Sequence, residues 1–123
     1  MRSSVRWCVV GLYLALITIV SLLPGRDFGG LNAPPGADKL AHIGMYAGFV
    51  LLSAWALWER GRADLRWLTL AAGVAFGYGM LMEIAQGAMD LGRTCSLADM
   101  LANAAGAGLG AALWRGWSRS ARR

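Results

Sequence analysis

The chain has 123 residues, which makes a single domain the expectation. Apolar residues make up 57% and charged residues 15% of it, against about 25% charged in an ordinary globular domain, so a soluble fold could not cover its apolar surface. The net charge of +5 comes as short blocks between apolar runs and not as one basic face, which argues against nucleic acid and for membrane anchoring.

Four runs are long enough for a hydrocarbon core of about 30 Å, which takes roughly 20 helical residues. The first covers residues 5–23 and ends at Pro24-Gly25. It exceeds a typical signal-peptide core and lacks an A-x-A-like site before Pro24, so it reads as a retained span. The second covers residues 40–58 and runs into the charged stretch "ERGRADLR". The third covers residues 67–89 and the fourth residues 97–114. No run alternates as a strand would, and helices satisfy their own backbone in lipid. The predicted fold is all-α: an integral membrane bundle of four transmembrane helices forming one domain over residues 1–123.

Arginine placement orients this bundle. Arg2, Arg6, Arg60, Arg62, Arg66, Arg115, Arg119, Arg122 and Arg123 fall on one side, and only Arg26, Lys39 and Arg93 on the other. The positive-inside rule then predicts that both termini are cytoplasmic. Cys8 and Cys95 fall on opposite sides, which rules out a disulfide between them and a shared metal. Trp55, Trp58, Trp67, Trp114 and Trp117 lie near the predicted cytoplasmic ends, as an aromatic belt would.

The polar residues within the spans collect at the other, outer end. Asp38, His42 and Tyr46 are four apart and share a stripe of the second helix, with Lys39 beside them. Glu83 and Gln86 are three apart near the end of the third. Arg93 lies in the short loop, and Ser96, Asp99, Asn103, Gly106 and Gly110 follow as one stripe of the fourth. Ionisable groups at membrane depth are costly, face protein or water, and are functional candidates by default.

"DKLAH" followed by Tyr46, "EIAQ" at 83–86 and "RTCSLADMLANAAGAGLG" from Arg93, in this order and spacing, resemble the VanZ-like family of bacterial membrane proteins. The resemblance covers about residues 9–114. It implies an integral protein of the cell membrane and cell envelope. A founding member of the family is linked to lowered susceptibility to teicoplanin-type glycopeptides, so antibiotic resistance is the label it carries. It supplies neither reaction nor substrate.

The residues themselves leave alternatives open. His42, the only histidine, suits proton transfer or a structural hydrogen bond to a carboxylate. With carboxylates and no useful cysteine it makes a poor zinc set, so no metal or cofactor is expected. Glu83 and Asp99 suit a general acid and base, or an ion-pair network with Lys39 and Arg93. Gln86 and Asn103 suit substrate orientation or interhelical bonding, the latter being the plainer reading. Three G-x-x-x-G pairs, at Gly44/Gly48, Gly73/Gly77 and Gly106/Gly110, support tight packing without indicating dimerisation. No nucleotide loop, nucleophile elbow or HExxH occurs. The leading expectation is recognition of a lipid or lipid-linked envelope molecule by Asp38, Lys39, His42, Tyr46, Glu83, Gln86, Arg93, Ser96, Asp99 and Asn103. The alternatives are an enzyme using His42, Glu83 or Asp99 on such a lipid, and a structural accessory subunit.

Overall fold

A computed structural model describes residues 2–23, 34, 36–58, 64–90, 92 and 94–123. Arg26, Arg60, Arg62 and Arg93 lie outside the described residues. Those described form four α-helices, α1 (Arg2–Leu22), α2 (Ala37–Trp58), α3 (Leu65–Ala88) and α4 (Leu97–Ser120), with no strand among them. Three are long and apolar enough to cross a membrane, over Ser3–Leu22, Ala37–Trp58 and Leu65–Ala88. Helix α4 is less apolar, because it carries Asp99 and Asn103 near one end and Arg115, Ser118 and Arg119 near the other.

Side chains and backbone geometry set the ends of these helices. Asp64 caps α3 by accepting from the Trp67 amide at 3.1 Å, and Ser96 caps α4 by accepting from the Asp99 amide at 3.3 Å. Between α3 and α4 the backbone turns through Asp90 at φ 49° and Gly92 at φ 71°. Aspartate and glycine tolerate this left-handed region best, so a short connection can reverse the chain.

The helices alternate in direction. Tyr13 donates to the Met45 carbonyl and Arg6 to the Trp55 carbonyl, which runs α1 antiparallel to α2. The Thr18 and Tyr78 hydroxyls pair, and Gln86 donates to the Ser21 carbonyl, so α1 and α3 run together. Helix α4 lies parallel to α2 along most of its length: Gly106 sits on Ile43, Gly110 on Ala47, and Trp114 packs with Ala54 and Leu57. Its 24 residues span about 36 Å at 1.5 Å per residue.

The core is built on α2. Tyr46, Phe49 and Val50 meet Val10 and Ile17 of α1, Ala75 of α3 and Ala107 of α4. A second cluster joins Leu57, Leu68 and Trp114 toward the other end. Outward-facing leucines such as Leu12, Leu16, Leu70, Leu81, Leu101 and Leu113 are exposed on every side, as lipid solvent allows and water would not.

Two sequence expectations change in detail. Of the three glycine pairs, only Gly106/Gly110 brings two backbones together: a Cβ on Gly106 would lie 2.4 Å from the Ile43 carbonyl oxygen. Gly73 and Gly77 face outward with nothing within 4 Å, and Gly48 accommodates the Tyr13 ring. The tryptophans are not all a belt. Trp114 is buried and packs edge-on to Trp58 at 5.8 Å and against Trp117 at 4.9 Å. Both cysteines are free and exposed.

Candidate functional site

The site lies at the end of the bundle where α2 and α4 begin and α3 finishes. Helical periodicity brings it together. His42 is one turn into α2, Glu83 is five residues from the end of α3, and Asp99 and Asn103 occupy the first two turns of α4. His42 Nδ1 donates to Asn103 Oδ1 at 2.8 Å and lies 3.8 Å from Glu83 Oε1. Glu83 Oε2 accepts from the Ser96 amide at 3.3 Å, so the carboxylate ties the end of α3 to the start of α4. Lys39 Nζ bridges Asp99 at 2.8 Å and Asp38 at 2.6 Å.

Exposure is graded from the inside out. Asn103 and Glu83 are almost completely buried and His42 nearly so. The Asp99 side chain is 16% exposed, Lys39 40% and Asp38 51%, so the cluster opens at the surface through its charged rim. The inner members hold one another, because a buried carboxylate or imidazole needs hydrogen-bond partners to offset desolvation. Asn103 fits only because Gly79 has no side chain: a Cβ there would lie 2.7 Å from Asn103 Nδ2. That amide nitrogen is buried without a hydrogen-bond partner among the described residues.

The ten residues singled out from the sequence do not all meet. His42, Glu83, Ser96, Asp99, Asn103, Lys39 and Asp38 form one continuous network. Gln86 turns to α1 and bonds the Ser21 carbonyl at 2.6 Å, so it fastens two helices apart from the cluster. Tyr46 lies one turn below His42 and is packed in the apolar core. Arg93 lies outside the described residues. Sequence spacing did not reveal Gly79, since its role depends on the face that α3 turns toward Asn103.

Chemically, the arrangement offers a cation at the surface, carboxylates on either side of it and a sealed imidazole behind. His42, Glu83 and Asp99 each present one donor atom, and these lie within 4.8 Å of one another. These are donor types a metal could use, although one imidazole with two carboxylates remains a poor zinc set. In this structure the positive charge against Asp99 is supplied by the Lys39 ammonium.

No curated protein and no solved structure matches the chain. The family model described as VanZ/LLP1 matches residues 7–118, which include most of each helix and every residue of the polar network. This membrane protein therefore belongs to the VanZ/LLP1 family.

Proposed function

We propose that the chain is a four-span protein of the bacterial cell membrane that recognises the anionic group of a lipid or lipid-linked envelope molecule. The observation that carries this reading is that the buried network opens at the surface through a rim in which the Lys39 ammonium stands half-exposed between Asp38 and Asp99. Lys39 stays 40% exposed while it bridges Asp38 and Asp99, so its ammonium remains open to a phosphate or carboxylate in the headgroup layer. Asp38 and Asp99 hold Lys39 in place, and His42, Asn103 and Glu83 form the support behind it. The lowered glycopeptide susceptibility attached to a founding member would be a cellular consequence of binding such an envelope molecule. The purified chain is expected to retain a distinct anionic lipid species, identified by mass spectrometry of its extract. Retention of bulk phospholipids in their membrane proportions would sink the reading.

The fourth span and the orientation belong to the same proposal. Helix α4 follows α2 through most of the bundle, which supports its crossing at equal depth despite its polar ends. Nine of the 12 basic residues then fall on the side of the termini. A reporter active only outside the cytoplasm should be silent when fused after Arg123 and active when inserted after Gly92. Activity at the carboxyl terminus would overturn the orientation.

One observation favours a second reading, an enzyme acting on the bound lipid: His42 Nδ1 lies within reach of both Asn103 and Glu83, as a positioned proton carrier would. His42→Gln keeps a hydrogen-bonding side chain that cannot carry a proton near neutral pH. Unchanged lipid turnover in cells with this variant would remove acid–base chemistry by His42.

A further inference from the structure

The opposite end of the bundle carries a second feature that the outer cluster does not explain. Arg115 and Arg119 are four residues apart on one face of the last turns of α4, and Arg122 follows two residues beyond its end. With Asp64, Leu65, Leu68 and Ser118 they line a recess of about 230 Å³ between α4 and the start of α3. Beside it lies the aromatic group of Trp58, Trp114 and Trp117, with centroids 4.9–5.8 Å apart. Trp117 is the largely exposed member, and an exposed tryptophan beside arginines at a helix end suits the level of lipid headgroups.

The charges of this recess are out of balance. Three guanidinium groups face one carboxylate, and Asp64 already spends an oxygen on the Trp67 amide as the cap of α3. Among the described residues Arg115 and Arg119 have no ion pair, and Arg122 rests over the Trp58 ring at 5.5 Å. A signal for membrane orientation needs positive charge near the helix end but does not require three arginines to converge on one cavity. Guanidinium is the group that suits phosphate oxygens, because its forked donors bind them in pairs. The floor of Leu65 and Leu68 is apolar and suits the first carbons beyond a headgroup. At this volume the recess falls below the roughly 300–1,000 Å³ of pockets for drug-sized ligands, which fits a phosphate and its immediate linkage.

We propose that the recess lined by Arg115, Arg119 and Arg122 binds a phosphate group, carried by an anionic phospholipid headgroup or by a soluble phosphate ester. This site is independent of the outer cluster. The test uses the full chain in neutral detergent, titrated with phosphatidylglycerol, phosphatidylcholine and glycerol 3-phosphate and followed by native mass spectrometry. Phosphatidylglycerol or glycerol 3-phosphate should bind with one-to-one saturation in preference to phosphatidylcholine, and whichever binds identifies the source of the phosphate.

The paired change Arg115→Gln/Arg119→Gln should weaken that binding about tenfold or more, since each basic residue near an anionic headgroup is worth about fivefold. Asp64→Asn should strengthen it. Arg66→Gln/Arg123→Gln removes the same charge at the same end but outside the recess, and should weaken binding less than about threefold. Gly73→Ala, whose added carbon meets nothing within 4 Å and which lies outside both sites, should leave it unchanged. Equal binding of phosphatidylcholine and phosphatidylglycerol with no binding of glycerol 3-phosphate would overturn the proposal. So would an equal loss in the two arginine pairs.

Discussion

Replacing Gly106 by alanine should destabilise the bundle by about 1–3 kcal/mol, and replacing it by leucine by more, as overpacking of a tight core does. The added carbon would lie 2.4 Å from the Ile43 carbonyl oxygen and 2.9 Å from its Cα. Both neighbours are backbone, so no rotamer change relieves the clash, and α4 must move away from α2. Association of helices in lipid depends on such close approach, because burial of apolar surface gives little when the solvent is itself apolar. Asn103 is nearly one turn before Gly106 on the same face, so separation should also break its bond to His42. Gly73→Ala is the matched control, since its Cβ meets nothing within 4 Å. Thermal melting in detergent, followed by tryptophan fluorescence, should show a large drop for Gly106→Ala and none for Gly73→Ala. Equal melting temperatures would mean that the two helices do not pack as described.

The contrast between these glycines marks what the sequence could and could not convey. Apolar length gave the helices well: residues 40–58 and 67–89 became Ala37–Trp58 and Leu65–Ala88. The fourth apolar run covers residues 97–114, whereas α4 continues to Ser120. Apolarity marks where a helix leaves hydrocarbon, whereas its hydrogen bonds continue into the polar "RGWSRS" segment. The end of the bundle at which the polar groups gather was also legible, from the order of spans and polar residues alone. The direction of each side chain was less so. Gln86 is three residues from Glu83, which leaves about 60° between them around the helix axis, enough to turn it onto Ser21 of α1. Tyr46 is one turn from His42 on the same stripe but about 6 Å deeper, and that depth puts it in the apolar core. Spacing along one helix fixes a stripe; which neighbour receives it is a property of the assembled bundle.

The same gradient predicts that the rim and the interior of the outer cluster fail in different ways. Lys39→Gln should leave the melting temperature within a few degrees of the unaltered chain, because the ammonium is 40% exposed and glutamine still offers a donor to the largely buried Asp99 carboxylate. It should nevertheless lower retention of the co-purified anionic lipid about fivefold, the loss expected from one basic residue at a headgroup. Glu83→Leu should do the reverse. Its carboxylate is 1% exposed and receives the Ser96 amide, so leucine orphans a group at the junction of α3 and α4. Each group left unsatisfied costs about 1–3 kcal/mol, and the first turn of α4 that carries Asp99 should loosen with it. Glu83→Gln keeps the shape and an acceptor and should fall between the two. Melting in detergent and lipid retention, measured on the same preparations, therefore separate the variants along two axes. If Lys39→Gln melts early while lipid retention per folded protein is unchanged, the cluster is a scaffold alone and the recognition reading fails.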